Sequence, residues 1–309
     1  MTRYMVRRLI SMVLAVWVIA TITFLLMHSV PGGPFSKDKA LPPAIIKNLE
    51  ARYHLDWPLW KQYVHQMYNI LRWDFGPSMK YESRSVNQII RDGFPISARL
   101  GAVAVALSVL VGLPVGIISA LRHNRWQDNI AMGFATLGVA LPSYVVAALF
   151  IYVFALKLGW FPSSLWGTPK HYVLPALALA GFPMAFIARL ARSSMLEVLQ
   201  QDYIRTARAK GLSERVVIYR HALKNSLIPV VTYIGPLIAN VFTGSFVIER
   251  MFGIPGLGRH FITSIYNRDY TTIMGTTVFY SVFLVIMILV TDLTYALIDP
   301  RISIADERK

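Results

Sequence analysis

The stretch LISMVLAVWVIATITFLLMHSV, Leu9 to Val30, is 22 residues long and carries no formal charge. As an α-helix rising 1.5 Å per residue it is about 33 Å long, which is enough to cross the hydrocarbon core of a bilayer. Three arginines precede it, as in a signal peptide, but the apolar part of a signal peptide has only about 7–15 residues. This run ends in the turn sequence PGGP, without a small-residue cleavage site. We therefore predict a retained transmembrane helix over residues 1–30.

Five further apolar stretches follow. The chain of 309 residues is 55% hydrophobic and only 15% charged, against about 25% charged residues in ordinary soluble domains. The additional spans are predicted at Leu100–Leu121, Asn129–Leu156 (with room for a break at Pro142), Tyr172–Ala188, Leu227–Ile248 and Tyr270–Ile298. The sequence therefore predicts an all-α integral membrane protein with six transmembrane helices.

The distribution of Lys and Arg indicates the orientation of these helices. With a cytoplasmic N-terminus, the cytoplasmic segments carry sixteen of the 31 basic residues and the short outer loops carry five. The other ten lie between the first and second predicted spans, in an outer segment that exceeds about 60 residues and falls outside the positive-inside rule. This bias predicts that both termini are cytoplasmic. It also explains the net charge of +15 better than nucleic-acid binding, since no nucleic-acid-reading motif accompanies the charges.

The first outer loop, residues 31–98, is too long to be a simple connector. Apolar residues recur at helical spacing from Trp60 to Leu71, which predicts an amphipathic helix. Another helix is predicted around residues 45–53, and Ser85 is a candidate cap for a short third one. We expect a small helical cap on the outer face that either shields the pore or contacts a delivery protein.

The most informative segment is polar and runs from Arg189 to Ser226. It contains the sequence DYIRTARAKGLSERVVIYRHALKNS, which is much longer than two adjacent helices need as a connection. Gly211 is typical of a helix stop, with basic residues in the turn before it. Ser213 can cap a second helix. Small residues at Ala207, Ala209 and Gly211 would allow another protein to approach the backbone closely.

This segment resembles the EAA loop of ABC importer permeases, in the form used by the oligopeptide, dipeptide and nickel branch. In that branch RTARAKGL followed by RHAL-x-N is the usual form. The general pattern is Glu-Ala-Ala, three residues, Gly, nine residues and Ile-x-Leu-Pro, of which only Ala207, Gly211 and Leu223 match here. Further stretches resemble the first permease subunit of an oligopeptide importer, among them WDFGPSMKY, GSFVIERMFGIPGLGRHF and YALIDPRI.

The resemblance implies a type I ABC importer permease fold in a bacterial inner membrane, without catalytic activity of its own. It implies the following partners: a second homologous permease, two cytoplasmic ABC ATPases, an extracytoplasmic peptide-binding protein and membrane lipid, with no nucleic acid. No cofactor is expected on this chain, because ATP and Mg²⁺ would be used by the ATPases. The residues implied to couple to an ATPase, within the 199–215 segment, are Asp202, Arg205, Thr206, Ala207, Arg208, Ala209, Lys210 and Gly211.

The resemblance also implies an external loop near a gate between Gly244 and Gly258. The residues assigned to it are Gly244, Glu249, Gly253, Pro255, Gly256 and Gly258. The glycines of GIPGLG resemble a phosphate-binding loop, but the sequence contains no GxxxxGK[ST] motif, so a structural turn leading into the sixth span is expected. The histidines lack metal-site spacing, and no metal site is predicted.

Alternatives remain open at this stage. Dipeptide, glutathione or nickel transport would use most of the same motifs. A proton-coupled carrier or channel would need a charged residue inside the membrane, and Asp292 is the one carboxylate well inside a span. We expect Asp292 to form a structural ion pair with Arg189 or Arg192.

The predicted domain organisation has four parts. A transmembrane helix (1–30) is followed by the external helical loop (31–98). The transmembrane core (99–299) contains the cytoplasmic loop 189–226, and a cytoplasmic tail (300–309) completes the chain.

Overall fold

The computed structural model describes residues 2–35, 42–81 and 83–298. These residues are predominantly helical, as predicted. The helices in chain order are α1 (Thr2–Ser29), α2 (Pro43–Arg52), α3 (Leu59–Leu71), α4 (Val86–Leu121), α5 (Trp126–Ala140), α6 (Ser143–Phe150), α7 (Lys170–Leu199), α8 (Asp202–Ala209), α9 (Glu214–Val216), α10 (Leu223–Ser226), α11 (Ile228–Met251), α12 (Leu257–Asn267) and α13 (Tyr270–Ile298). A π-helical stretch, Ile151–Lys157, continues α6, and a second one, Val217–Ala222, joins α9 to α10. The predicted tail, 300–309, lies outside the described residues.

Four helices are long and apolar enough to cross a membrane: Val6–Ser29, Val86–Leu121, Lys170–Leu199 and Tyr270–Asp292. Two bent pairs of helices pass the same test when each pair is taken together. Trp126–Ala140 and Ser143–Lys157 meet at 105°, and Glu214–Ser226 and Ile228–Phe242 meet at 44°. The described residues therefore contain four to six candidate spans, and the sharpest bend falls beside Pro142, where the length of the predicted span leaves room for tilt or a break.

Two predicted boundaries are wrong. The short helix expected after Ser85 is the first part of α4, a helix of 36 residues that continues into the predicted second span. Ser85 nevertheless caps it, since its Oγ accepts from the Gln88 N–H (3.2 Å) and the Gln88 side chain accepts from the Ser85 N–H (3.0 Å). The fourth predicted span ends at Ala188, but the helix that contains it, α7, continues for three more turns to Leu199.

The described part of the chain forms two compact units, and α4 and α13 each contribute to both. The first unit comprises Met1–Ser97 and Pro255–Ile286. Its buried hub is Asp269, immediately before α13. The Asp269 carboxylate accepts hydrogen bonds from Ser78 Oγ, the Met79 N–H and both the backbone and hydroxyl of Thr272. These bonds cap α13 and fix the segment after α3 to its first turn.

The second unit comprises Ala98–Ile254 and Met287–Lys309, and α7 is its most buried helix. Small residues let neighbouring helices approach α7 closely. A Cβ atom on Gly112 of α4 would lie 2.6 Å from the Met184 carbonyl oxygen, and one on Gly138 of α5 would lie 2.9 Å from the Ala185 Cβ. Glycine is therefore required at both crossings.

Candidate functional site

The predicted coupling residues all lie on α8 and on the turn that follows it. α7 ends at Leu199, and Gln201, with extended backbone (φ −70°, ψ 148°), begins α8. Asp202 occupies the first turn of α8 and Arg208 the last, so each charge suits the helix dipole at its own end. A free-standing helix of eight residues would be marginal in water, so α8 depends on tertiary packing.

Gly211 ends α8 in a Schellman motif. Its N–H donates to the Arg208 carbonyl (2.9 Å), and the Leu212 N–H donates to the Ala207 carbonyl (3.4 Å). Gly211 has φ +77°, a left-handed conformation that side chains disfavour, while no atom of the described residues lies within 4 Å of the place where its Cβ would be. The predicted helix stop is confirmed, and the requirement for glycine comes from the backbone conformation rather than from crowding.

One face of α8 is anchored in the chain's own core. Ile204 is fully buried and Ala207 is only 5% exposed. They belong to a buried cluster that we call the loop core, whose members are Ala120, Met195, Ile204, Ala207, Val217 and Ala222. Ala207, one of the residues predicted to couple to an ATPase, therefore packs inside this chain. The loop core joins α8 to the ends of α4 and α7.

The opposite face of α8 is exposed. It presents the other seven predicted residues, Asp202, Arg205, Thr206, Arg208, Ala209, Lys210 and Gly211. Arg208 also forms an ion pair with Glu214 (2.7 Å), which closes the turn between α8 and α9. This surface is basic and lies on a helix whose other face is fixed.

Sequence reasoning missed exposed apolar residues beside this surface. Tyr203 is 41% exposed and its hydroxyl accepts from Asn225 Nδ2 (2.8 Å). Leu212 and Tyr219 are also exposed. The signal was present, since large apolar side chains in a charged segment often mark a contact surface when they are not buried. Ser213 stands at the start of α9 as predicted, but its hydroxyl makes no capping bond, and its carbonyl accepts from the Val217 N–H instead.

A second missed feature is a buried charge cluster, here called the Asp128 cluster. Arg192 on α7 donates to both oxygens of Asp128 on α5, with Nε–Oδ1 2.6 Å and Nη2–Oδ2 2.8 Å. Ser119 Oγ and the Asn124 N–H donate to the same carboxylate, which is almost fully buried. His123 Nδ1 accepts from Arg192 (3.0 Å). The cluster ties the turn between α4 and α5 to α7, one helical turn before the loop core.

The pairing expected for Asp292 is not the one that these arginines make. Arg192 is directed to Asp128, and Arg189 donates to Thr136 Oγ1 (2.6 Å). Little in the sequence indicated that Arg192 pairs with Asp128. Asp128 lies only one residue before a predicted apolar stretch and is 64 residues from Arg192 in the chain.

The predicted gate loop is helical over half of its length. α11 continues to Met251, so Gly244 and Glu249 lie within a helix rather than in a loop. Glu249 is fully buried and accepts from Ser245 Oγ (2.7 Å). Gly253, with φ +63°, ends α11 in the same motif as Gly211 ends α8, since the Ile254 N–H donates to the Glu249 carbonyl (2.9 Å).

The remaining gate residues, Pro255, Gly256 and Gly258, lead into α12 and not directly into the sixth predicted span. Gly256 precedes the first residue of α12 in extended conformation, and Gly258 is buried in its first turn. The Leu257 N–H donates to the buried Ser97 Oγ (2.9 Å). The glycine-rich sequence is thus a turn followed by a helix, as expected for a structural role, although the helix is a separate one of 11 residues.

Comparison with known sequences gives two family matches that together span most of the chain. Residues 112–304 match the family described as "Binding-protein-dependent transport system inner membrane component". Residues 1–101 match the N-terminal family of the same transport-system membrane components.

Two curated relatives match over nearly the full length. The dipeptide transport system permease protein DppB of Bacillus subtilis is 52% identical over 304 residues, which cover 98% of this chain and 99% of the relative. The oligopeptide transport system permease protein OppB of Salmonella typhimurium is 43% identical with the same coverage.

Solved structures share the fold at lower sequence identity. A crystal structure of an amino acid ABC transporter with histidines matches with a TM-score of 0.57 and 17% identity, covering 68% of this chain and 94% of that one. An inward-facing MetNI methionine ABC transporter matches with a TM-score of 0.57 and 18% identity, covering 69% and 97%.

Proposed function

The chain belongs to the family of binding-protein-dependent transport system inner membrane components, and from this we propose that it is the membrane-spanning permease subunit of an ATP-driven importer of peptides. A second homologous permease would complete the pathway, and an extracytoplasmic binding protein would deliver the peptide. Two cytoplasmic ABC ATPases would bind ATP and Mg²⁺, so that this chain binds no cofactor itself. The names of the curated relatives support peptide import.

The proposed topology has six spans with both termini in the cytoplasm, each bent helix pair forming one span. The bias of basic residues supports this orientation. The loop 31–98 then faces outward, the 189–226 loop faces the ATPases, and the tail 300–309 is cytoplasmic.

The observation that carries the proposal is the two-sided packing of α8. Its inner face is buried through Ile204 and Ala207, and its outer face is basic and exposed. We infer that an ATPase binds the outer face. Because the loop core also contains Ala120 of α4 and Met195 of α7, a displacement of α8 would be passed directly to two long helices. ATP-driven closure would thereby switch access of the pathway between the two sides of the membrane.

The segment from Gly244 to Gly258 is proposed to act near the outer gate. The segment contains a change of chain direction that supports this role, since Gly253 ends α11 and Gly256 precedes α12. Exchange of Gly253 for Val would test it. We expect impaired uptake with normal assembly, and normal uptake would remove the segment from the mechanism.

The substrate is proposed to be an oligopeptide, as the motifs first suggested, while the 52% identical relative favours a dipeptide as the second candidate. Uptake into proteoliposomes containing the complete importer distinguishes the two. Competition of labelled dipeptide uptake by unlabelled peptides of two to six residues would show which lengths are carried. Competition by dipeptides alone would select the second candidate.

The chain contains no native cysteine, which allows the coupling proposal to be tested directly. A single cysteine replaces Ala209, which is exposed, and in a matched control another replaces Ala207, which is buried. After crosslinking in intact membranes, the attached protein is identified by mass spectrometry. We expect a P-loop ATPase at position 209 and none at position 207.

Capture of no ATPase at position 209 in an efficiently labelled sample would refute the coupling site. Peptide uptake that persists without any ATPase partner would favour the rival class, a proton-coupled carrier or channel.

A further inference from the structure

Helix α3 carries an apolar stripe that the rest of the described chain leaves uncovered. Its members are between 49% and 83% exposed. They are Leu59, Trp60, Val64, Tyr68 and Leu71. The stripe follows the helical repeat along all 13 residues of α3. It is therefore one continuous surface rather than a set of scattered apolar side chains.

The N-terminal part of α3 contacts α1 well before the last residue of α1, Ser29. The Tyr63 hydroxyl lies 2.8 Å from Thr21 Oγ1, and since Thr21 itself donates to the Trp17 carbonyl, Tyr63 is the donor. The Tyr63 and Phe24 rings meet edge to face at 5.4 Å. Thr21 lies eight residues before Ser29, where α1 ends, which corresponds to about 12 Å along the helix axis.

The chain just after α3 contacts another candidate span at a comparable depth. Trp73 lies beside Phe279 of α13, with ring centroids 6.4 Å apart. Phe75 is almost fully buried and lies so close to Gly275 that a Cβ there would be 2.9 Å from it. Phe279 is nine residues beyond the first residue of α13, or about 14 Å along that helix.

Each end of α3 therefore has a contact about 12–14 Å inside the end of a helix that can cross the membrane, and Gln62 of α3 also contacts His28 near the end of α1 (3.2 Å). The hydrocarbon core is about 30 Å thick. We propose that α3 is embedded in the outer leaflet, and that its uncovered stripe is covered by lipid acyl chains. The assignment to the outer leaflet depends on the proposed orientation with a cytoplasmic N-terminus. The depth of α3 in the bilayer depends only on its contacts with α1 and α13.

The residues around the stripe suit a lipid boundary. Tryptophan and tyrosine are enriched where a membrane protein meets the headgroups. Lys61 Nζ lies over the Trp57 ring at 3.9 Å, and the Arg72 guanidinium lies over the Tyr68 ring at 4.2 Å. Long basic side chains at both ends of the helix can extend towards the headgroups while the apolar face remains in the acyl region.

Fluorescence quenching measures which environment the stripe faces. Single cysteines at Val64 and Leu71 are labelled with bimane in the complete importer, reconstituted in phosphatidylcholine nanodiscs. Lipids with a doxyl group at acyl carbon 5 or 12 quench from within the bilayer, and iodide quenches from water. A cysteine at Glu50, an exposed polar position on α2, serves as the control. In a separate variant, Trp73→Ala removes the contact between the chain just after α3 and Phe279 of α13.

We expect doxyl lipid to quench the probes at Val64 and Leu71 several-fold more strongly than the probe at Glu50, with the reverse order for iodide. Trp73→Ala should reduce the lipid quenching of the probe at Leu71, and the importer should still assemble from its subunits. Strong iodide quenching at both stripe positions would overturn the proposal in favour of a water-exposed cap. Protection from both quenchers, with crosslinking to another subunit, would overturn it in favour of a protein interface. Neither result depends on the ATPase contact of α8, so failure here is separable from failure of the proposed function.

Discussion

Breaking the Asp128 cluster should loosen the C-terminal end of α4. In Arg192→Met the Asp128 carboxylate stays buried with donors from Ser119 and Asn124 and with His123 Nδ1 3.4 Å from its Oδ2. Removing one partner of a buried ion pair costs about 3–5 kcal/mol. The Arg192 side chain is 23% exposed, so the lower end applies, about 3 kcal/mol. At 1.4 kcal/mol per tenfold change, local opening should become about a hundredfold more frequent.

The assay is the labelling rate of one buried thiol. A cysteine replaces Ala120, which is 3% exposed, adjoins the cluster and belongs to the loop core. Since the native chain has no other thiol, the rate of labelling by a water-soluble maleimide reports the frequency of opening at this point. Arg192→Met should raise that rate about a hundredfold, by the same conversion.

The matched control is Arg189→Met, one turn earlier on α7. Arg189 makes an exposed hydrogen bond to Thr136, so its loss should change stability by less than about 0.5 kcal/mol and leave the labelling rate within a few-fold. In the double variant Asp128→Asn/Arg192→Met, which buries no charge, protection should largely return. Equal effects of the two single Arg variants, or no recovery in the double variant, would refute the reasoning.

Three other perturbations have definite expected outcomes. Gly211→Ala forces a side chain to φ +77° at about 1–2 kcal/mol, so thiol labelling at Ala120 should rise about five- to thirtyfold, whereas Gly211→Asn, which tolerates this conformation, should change it less. Asp269→Asn removes the charged acceptor of the buried hub at about 2–3 kcal/mol, which should lower the midpoint of thermal unfolding of the assembled importer; an unchanged midpoint would contradict the assignment. Burial and nearby guanidiniums lower the pKa of His260, so the folded state resists a proton that the unfolded state accepts near pH 6.5. Stability should therefore fall as the pH drops below about 6.5, and His260→Gln should reduce the drop in midpoint between pH 7 and pH 5.5.

Local features of the fold followed from local sequence signals. Helix α3 was predicted from the helical repeat of its apolar residues, and the end of α8 from a glycine preceded by basic residues. These signals succeed because they depend on backbone geometry within a few residues. The same is true of the cap at Ser85, whose partner Gln88 is three residues away.

Features that depend on distant contacts were not predicted. The inward direction of Ala207 could not be read from the sequence, since both sides of α8 contain small residues and only packing on Ala120 and Met195 selects the buried one. The Arg192–Asp128 pair is 64 residues apart in the chain. The end of α7 was also missed, because charged residues past Ala188 suggested a loop where the helix simply leaves the apolar layer.

The bend of 105° between α5 and α6 has a consequence for how the protein is made. Each arm, Trp126–Ala140 or Ser143–Lys157, has 15 residues, about 22 Å of helix, which is too short to cross a bilayer core of about 30 Å alone. Both arms pack on α7, which the ribosome synthesises only afterwards. The bent pair is therefore synthesised without the α7 surface against which it packs, and both arms gain that surface only once α7 has been made.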